Sequence, residues 1–313
     1  MRILVTGGAG FIGSHLVEAA LARGWEVRVL DSLVTGTLAN LQPVARQGDR
    51  EKGDVRDLAA CDRAVRGCDV VFHLAALPSV QRSVEDPSGS HAVNCTGTVN
   101  LLESARVRKV RRVVYASSSS LYGNAPELPK REDQHPAPAS PYAASKLSGE
   151  LYGRAFAASM DLPFVALRLF NVFGPRQDPD SPYAAVIPIF LRCLRLGKAP
   201  TIYGDGEQTR DFTYVSNVVD AFLAASEAPV GKVSGRAFNV AFGRCSTLNA
   251  VYAMLQEATG LRLPAAYAPA RTGDVKHSHA DVSAARKALG WEPRVTLEEG
   301  LKRTVAAAVP AEA

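Results

Sequence analysis

The chain has 313 residues, of which 47% are hydrophobic and 21% are charged, and its formal net charge is +5. This composition is typical of a soluble globular protein with one large domain or two coupled ones. Lysine and arginine are scattered, and no apolar run approaches the roughly 20 residues of a membrane span, which argues against a nucleic-acid-binding or membrane protein. Because the five cysteines are dispersed and MRILVTG begins at once as a strand, we expect reduced thiols and a cytoplasmic protein without a signal peptide.

Apolar, strand-like runs alternate with helical patterns through the first half of the chain. Strands are expected at RILVTG, EVRVLD, DVVFHLAA, RRVVYASS and PFVALRLFN. Helices are expected over residues 14–23 and 93–107, and a third begins with Ser140 as its N-cap and Pro141 in its first turn. Unbroken Val/Ile/Leu strands joined by helices predict a parallel sheet covered on both faces. The expected fold class is therefore α/β, with a doubly wound Rossmann sheet.

The second half of the chain has a different texture. Loops rich in glycine and proline follow residue 171, with helices expected over 186–196, 215–226 and 248–259. The run FNVAFG at 238–243 has the pattern of a strand that rejoins the first sheet. We therefore expect an NAD-type Rossmann domain over residues 1–167, rejoined by 211–243. A smaller, interleaved α/β region for the substrate would comprise residues 168–210 and 244–313.

A glycine-rich loop connects the first strand to the first helix. TGGAGFIGSHL places Gly7, Gly10 and Gly13 where a tight turn and a close approach of backbone to a pyrophosphate are needed. Asp31 closes the next strand 18 residues after Gly13. A carboxylate there accepts hydrogen bonds from ribose hydroxyls and repels a 2′-phosphate, so the sequence favours NAD over NADP. Asp54, after a further strand, is a candidate for reading the adenine amino group.

Two polar motifs follow the glycine loop in chain order. YASSSSLYG places Ser118, Ser119 and Ser120 just after the fourth strand of the core, where doubly wound sheets bind their ligands. SPYAASKL places Tyr142 and Lys146 four positions apart, on one face of a helix. Such a pair alone is common on ordinary amphipathic helices. The order of glycine loop, serine run and YxxxK helix favours a catalytic site.

With these motifs the chain resembles the extended short-chain dehydrogenase/reductase superfamily, and within it the nucleotide-sugar 4-epimerases of the UDP-galactose and UDP-N-acetylglucosamine type. The likeness extends over the whole chain, through TGGAGFIGSHL, HLAAL, ASSSSLYG, SPYAASK, LRLFNVFGPRQDP, YAAVIP, DGEQTRDFTYV and RTGDV. The resemblance implies tightly bound NAD and inversion of a UDP-hexose at C4 through a 4-keto intermediate. It makes Tyr142 the general base, with Lys146 on the nicotinamide ribose and Ser118, or Ser119 in its place, at the sugar 4-hydroxyl.

Simple electrostatics agrees with these implied roles. A free phenol has a pKa of about 10, too high for a base near neutral pH. One positive charge at roughly 4 Å, at an effective dielectric constant near 20, contributes about 4 kcal/mol, or about three pKa units. Lys146 and the positive nicotinamide ring are therefore expected to lower the pKa of Tyr142 towards neutrality.

The resemblance also implies the residues that contact each ligand. Contacts to NAD are expected from Gly7, Gly10, Phe11, Ile12, Gly13, Asp31, Asp54, Val55, Leu74, Ala75, Ala76, Asn94, Tyr142 and Lys146. Contacts to the UDP-sugar are expected from Ser79, Ser118, Ser119, Asn171, Val186, Tyr203, Arg210, Arg271, Asp274 and Ser278. Within this set, Arg210 and Arg271 would bind the diphosphate, Asp274 would lie near the uridine ribose, and Tyr203 would pack on the uracil.

The preferred sugar is expected to depend on Ser278. Epimerases of this family that are restricted to glucose resemble one another in carrying a bulky tyrosine there, and a small residue leaves room for a 2-N-acetyl group. We therefore expect interconversion of UDP-GlcNAc and UDP-GalNAc, and also of UDP-Glc and UDP-Gal. The family likeness further implies a homodimer through the helices near 93–107 and 142–158.

Several alternatives stay open at this stage. Dehydratases of the superfamily carry acid and base carboxylates where this chain has Ser119 and Ser120. A UDP-uronate 4-epimerase would need a cation such as Arg176 or Arg82 for its C6 carboxylate. A reductase and a non-catalytic NAD-sensing protein share the fold. No metal site is expected at HSHAD, where His277 and His279 lack grouped acidic or thiol ligands, and His73 is expected to be a core histidine.

Overall fold

The computed structural model describes residues 1–44, 47–270 and 276–308. Within these residues the strands, in chain order, are β1 (Arg2–Thr6), β2 (Glu26–Asp31), β3 (Asp49–Lys52), β4 (Val70–His73), β5 (Arg112–Ser118), β6 (Phe164–Leu169), β7 (Val172–Phe173), β8 (Thr201–Tyr203), β9 (Thr209–Arg210), β10 (Thr213–Tyr214), β11 (Arg236–Val240), β12 (Ser246–Thr247) and β13 (Ala266–Ala268). The helices are α1 (Phe11–Ala22), α2 (Leu58–Val65), α3 (Val80–Glu85), α4 (Pro87–His91), α5 (Gly97–Val107), α6 (Pro141–Ser159), α7 (Val186–Arg195), α8 (Val215–Glu227), α9 (Val230–Val233), α10 (Leu248–Thr259), α11 (Ser283–Leu289) and α12 (Leu297–Ala308).

The centre of the molecule is a sheet of seven parallel strands in the order β11-β6-β5-β4-β1-β2-β3. One apolar cluster covers one face of this sheet with side chains of α1, α8 and α11, and a second cluster covers the other face with α2, α5 and α6. This architecture confirms the expected doubly wound α/β fold. The strand order reverses between β1 and β4, which is where such sheets open a crevice for a ligand beyond their carboxyl ends.

The substrate-side region has its own apolar cluster. Helices α7, α10 and α12 pack around Phe173, Phe190 and Tyr214, with the short strand pairs β7–β10, β8–β13 and β9–β12 beside them. Strand β11 pairs with β6, so the run at 236–240 is part of the large sheet, as its pattern suggests. The boundaries between the two expected domains stay a prediction. Within the described residues, no helix is both long enough and apolar enough to cross a bilayer.

Helix α6 approaches the sheet unusually closely, and this sets the position of the candidate active site. It begins as expected, with the Ser140 hydroxyl accepting the N–H of Ala143 at 3.1 Å and Pro141 in the first turn. A Cβ on Gly149 would lie 2.3 Å from the Tyr115 hydroxyl, and one on Gly153 would lie 2.2 Å from the Phe164 ring. Glycine at these positions therefore lets α6 rest directly on β5 and β6.

Candidate active site

The glycine loop is shaped to receive a dinucleotide phosphate. Gly7 has a φ of +71°, and a Cβ there would lie 2.8 Å from the backbone N of Ala75. Gly10 donates its N–H to the Gly7 carbonyl at 3.1 Å, and a Cβ on Gly13 would lie 2.1 Å from that carbonyl oxygen. These contacts leave the N-terminus of α1 open towards the crevice, where free N–H groups and the helix dipole favour a phosphate. The loop therefore fits NAD.

The carboxylate of Asp31 is oriented by the same loop. One oxygen accepts the N–H of Ala9 at 2.9 Å and the other accepts the N–H of Leu33 at 2.8 Å. Each oxygen retains a lone pair for a hydroxyl donor, which suits a ribose diol. Asp54 is bound by Arg56 at 2.7 Å, and this hydrogen bond lowers the pKa of the Asp54 carboxyl. Its neighbour Val55 is buried against Gly97.

The next segment of the crevice is formed by the residues that follow β4. Leu74 and Ala75 lie against Gly7, and Asn94 ties this segment to α6. Its Oδ1 accepts the N–H of Leu77 at 2.8 Å, and its Nδ2 donates to the Ser145 hydroxyl at 3.0 Å. Asn94 lies within a π-helical turn, Ala92–Thr96, a feature often found at functional sites. Phe11 and Ile12 open α1 and pack against the substrate-side cluster.

Tyr142 and Ser118 meet at the carboxyl edge of the sheet. Ser118 ends β5, and its hydroxyl lies near the half-buried Tyr142 side chain. The Ser118 Oγ also accepts from the hydroxyl of Ser120 at 2.8 Å. Burial raises the pKa of the Tyr142 phenol, and the nearby Ser118 hydroxyl lowers it in part. This direction describes the protein without NAD, in which removing the phenolate from water outweighs the effect of Ser118. The lowering expected from Lys146 together with the positive nicotinamide ring stays a prediction.

Lys146 lies one turn beyond Tyr142 and is only 3% exposed. Its Nζ sits 4.7 Å from the centre of the Tyr115 ring, a cation–π distance. Burial lowers the pKa of Lys146 to about 8, while Cys95 and Glu150 raise it. A lysine in this setting holds its proton less firmly than one in water and is sensitive to nearby charge.

A buried polar network lies behind α6, and its residues were not predicted from the sequence as part of the site. Glu150 accepts two hydrogen bonds from Arg168, at 3.0 and 2.9 Å, and one from the Ser117 hydroxyl at 2.5 Å. Arg168 also donates to the Tyr122 hydroxyl at 2.8 Å, and Tyr122 donates to Asn239 at 2.7 Å. One sequence signal points to this network. Arg168 is a charged residue inside the apolar strand PFVALRLFN, where it needs a buried partner.

On the substrate side, the structure brings Arg210 and Ser278 into adjacent segments. Ser278 is half-buried and donates its N–H to the carbonyl of Thr209 at 3.1 Å. The Arg210 guanidinium donates to that same carbonyl at 2.9 Å. Tyr203 ends β8 and is 36% exposed. Val186 begins α7, and the predicted contacts Arg271 and Asp274 lie outside the described residues.

A second buried carboxylate, that of Asp211, links separate segments of the substrate side through hydrogen bonds. Asp211 is fully buried and accepts the N–H groups of Phe242, Gly243 and Ala280 at 3.0 to 3.2 Å. Burial raises the pKa of Asp211 to about 6, against the effect of these hydrogen bonds. Asn171, with a φ of +31°, donates its side-chain amide to the Asp211 carbonyl at 3.1 Å. The sequence does not reveal this role of Asp211, because the motif RDF gives no sign of which loops lie around the carboxylate.

The loop after Asn171 is bound to the cofactor helix. Arg176 donates to Glu18 of α1 at 2.5 Å, and the ring of His15 contacts the Pro175 carbonyl at 3.0 Å. We call this contact, formed by His15, Glu18, Pro175 and Arg176, the helix–loop bridge. It engages Arg176, one of the two cations that a uronate carboxylate would need.

The remaining residues discussed from the sequence form hydrogen bonds within the protein. Ser79 caps α3 by accepting the N–H of Arg82 at 3.1 Å. His73 is fully buried between Thr6 and Thr98, at 2.7 and 2.9 Å, as expected of a core histidine. His277 contacts the Thr209 hydroxyl at 2.9 Å, and His279 contacts the Gly243 carbonyl at 3.2 Å.

Comparisons with known proteins agree with this geometry. The profile of the NAD dependent epimerase/dehydratase family matches residues 3–241. A UDP-glucose 4-epimerase of Mycolicibacterium smegmatis is 43% identical over 310 residues, which cover 97% of each chain.

Solved structures extend the likeness to three dimensions. A UDP-N-acetylglucosamine 4-epimerase of Methanobrevibacter ruminantium, in complex with UDP-N-acetylmuramic acid, superposes with a TM-score of 0.93 at 39% identity, covering 98% of this chain and 97% of that one. A UDP-glucose 4-epimerase of Thermus thermophilus, in complex with NAD, superposes with a TM-score of 0.90 at 39% identity over the whole of both chains. The chain therefore belongs to the NAD dependent epimerase/dehydratase family, and within it the chain resembles the UDP-sugar 4-epimerases.

Proposed function

We propose that the protein inverts C4 of a UDP-hexose, with UDP-GlcNAc and UDP-GalNAc as its main substrates and UDP-Glc and UDP-Gal as further ones. The observation that carries this proposal is the position of Ser118, at the end of β5, beside the half-buried Tyr142, with Lys146 one turn away on the same helix face. The two positions after Ser118 hold serines, which cannot act as the acid and base of a dehydratase.

Each catalytic side chain has one task in this proposal. NAD, when bound, supplies a hydride acceptor and donor for sugar C4 and a positive ring beside the phenol. Tyr142 takes the proton of the 4-hydroxyl and returns it, and Ser118 holds that hydroxyl in line. Lys146 holds the nicotinamide ribose and adds positive charge that opposes the burial of the phenolate.

The substrate side supports the proposed sugar class. Arg210 and Arg271 suit the diphosphate because guanidinium groups bind phosphate oxygens in pairs. Ser278 is held beside Arg210 by its backbone bond to Thr209, and its small side chain leaves room next to the sugar. The uronate alternative loses support because Arg176 is engaged by Glu18. An NAD-sensing protein that performs no chemistry would not need Ser118, Tyr142 and Lys146 together. A reductase would need them too, and it differs from an epimerase in requiring exchangeable NAD(H).

The test is a substrate panel with purified protein and no added NAD. We expect interconversion of UDP-GlcNAc and UDP-GalNAc, because no net redox change occurs and the cofactor stays bound. Tyr142→Phe is the matched control, expected to lose at least about 100-fold in turnover while still binding UDP. Chromatography of the products decides the question. No epimer, or a strict need for added NAD(H), would overturn the proposal.

A second variant tests the assigned sugar preference. Ser278→Tyr is expected to reduce kcat/KM for the N-acetylated sugars at least about tenfold, because the ring would occupy the space for the acetamido group. Turnover of UDP-Glc and UDP-Gal should change little. An equal loss on all four sugars would show that Ser278 does not select among them.

We also propose that the protein is a homodimer. Helices α5 and α6 lie side by side, and Leu151 and Tyr152 of α6 are 53% and 47% exposed. An apolar helix surface of this kind suits pairing with the same surface of a second copy.

A further inference from the structure

Glu150 shares a helix face with the catalytic pair. It lies one turn after Lys146 and two turns after Tyr142 on α6, so the three side chains point the same way. Glu150 is 2% exposed, and its carboxylate is fully engaged by Arg168 and by the Ser117 hydroxyl. Because Ser117 precedes Ser118 in β5, this carboxylate joins the catalytic helix to the catalytic strand.

Lys146 is surrounded by groups that are mostly neutral. The titratable groups that face it come from β4, the π-helical turn, β5 and α6 itself, and they are His73, Cys95, Tyr115, Tyr142 and Glu150. Burial lowers the pKa of His73 to about 3 and raises the pKa of the Cys95 thiol. Burial also raises the pKa of both tyrosines. Glu150 is the member of this set whose carboxylate is paired with a guanidinium and held by three hydrogen bonds.

Stability alone is a weak reason for an ion pair at such a place. Removing a carboxylate and a guanidinium from water costs about as much as their attraction returns, and packed apolar side chains often serve equally well. Arg168 reaches Glu150 from β6, whereas Lys146 shares α6 with it. The pair therefore places the Glu150 carboxylate one helical turn from a buried ammonium group, and no other carboxylate is found to act on that group among the described residues.

We propose that Glu150, held by Arg168 and Ser117, is the fixed counter-charge of Lys146 and the residue that aligns α6 with the serine strand. It is a positioning residue, since it acts through Lys146 and Ser117. The inference rests on the proposed function only for the role given to Lys146. It adds a residue outside the YxxxK and serine motifs to the group that prepares the protein for NAD.

Direct titration of Lys146 is the test. In cofactor-free, full-length protein carrying ε-¹³C-lysine, the Lys146 signal is identified by its loss in Lys146→Met. Glu150→Gln keeps the side-chain shape and removes the charge. We expect the titration midpoint to fall by about one pH unit from its value near 8. At pH 8 the protonated fraction would then fall about fivefold, and NAD affinity with it, whereas at pH 6 affinity would be unchanged.

Tyr122→Phe provides the matched control. It removes a hydrogen bond to Arg168 from the same buried network without changing any charge. We expect no movement of the Lys146 midpoint. If Glu150→Gln leaves the midpoint in place, or if Tyr122→Phe moves it equally, Glu150 has only a structural role and the proposal is wrong.

A double variant guards against misfolding. Glu150→Gln combined with Arg168→Met removes both charges of the ion pair, so no Arg168 guanidinium is left buried without its carboxylate. The midpoint must still fall, since it is Glu150 that acts on Lys146. No sugar takes part in this titration. Its outcome therefore stands whether or not the protein epimerises UDP-hexoses.

Discussion

The buried Lys146 makes the stability of the cofactor-free protein depend on pH. Its pKa in the folded protein is about 8, against 10.5 for an exposed lysine. Below pH 8 both the folded and the unfolded chain carry the proton, and burying the charge has its full cost. Between pH 8 and 10.5 the folded protein releases the proton while the unfolded chain keeps it, so the free energy of unfolding rises with pH.

We therefore expect Lys146→Met to remove this rise. One pKa unit corresponds to about 1.4 kcal/mol, so the wild-type protein should gain up to about 3 kcal/mol relative to the variant as the pH increases from 7.5 to 10.5. Urea unfolding across this range measures the difference. Lys302→Met, at an exposed position, serves as the control and should follow the wild-type slope. A parallel slope for Lys146→Met would mean that Lys146 is not buried as a charge.

At the residue scale, sequence motifs indicate which residues belong to the candidate site. They do not indicate how deeply each side chain is buried or which charges lie near it. Tyr142 and Lys146 could be predicted from their four-residue spacing on one helix, and Ser118 from its place after a core strand and from the family resemblance. The local sequence does not distinguish Glu150 from an ordinary exposed glutamate on a helix. Glu150 becomes a buried partner of Arg168 only because β6 lies against α6 in the fold. The lowering of the Tyr142 pKa with NAD bound stays a prediction. Burial, which raises this pKa in the absence of NAD, depends on the packing of distant elements around the phenol, which no local pattern records.

At the scale of elements, the glycines of α6 give a sharp prediction. Gly153→Ala would place a methyl group 2.2 Å from the Phe164 ring, so either the helix or the ring must move. We expect a loss of about 1–3 kcal/mol in the free energy of unfolding, the usual cost of overpacking a core. Gly231→Ala, in α9 with nothing within 4 Å, is the control. It should be neutral or stabilise by up to about 1 kcal/mol. Equal effects in thermal unfolding would contradict the close packing.

The elements of the large sheet could be predicted because their signals are strong. Unbroken runs such as VVFH and FVALRL have few alternatives to a buried parallel strand. Helix α2 was overlooked, although Asp57 caps it, because its eight residues are short and mixed in character. The strand pairs of the second region contain two or three residues each, too few to show a period, and their pairing depends on distant segments.

For the whole molecule, the helix–loop bridge has a consequence for how the two ligands influence each other. Helix α1 begins at the glycine loop that binds NAD, and the loop held by the bridge begins at Asn171 on the substrate side. A ligand that orders one of these two loops therefore also restrains the other. Binding free energies must then be coupled, and equally in both directions. We expect Glu18→Gln to reduce by about two- to fivefold the factor by which UDP tightens NAD binding, the scale of one half-exposed ion pair.

Calorimetric titration of each ligand, with and without the other, measures both factors. Arg23→Gln, which breaks a pair between α1 and Glu227 at 3.1 Å, is the control and should leave the coupling intact. Unchanged coupling in Glu18→Gln, or an equal loss in Arg23→Gln, would be inconsistent with a bridge. Because exposed ion pairs are screened by salt, cooperation between cofactor and sugar nucleotide in this protein should weaken as ionic strength rises, even while each ligand alone still binds.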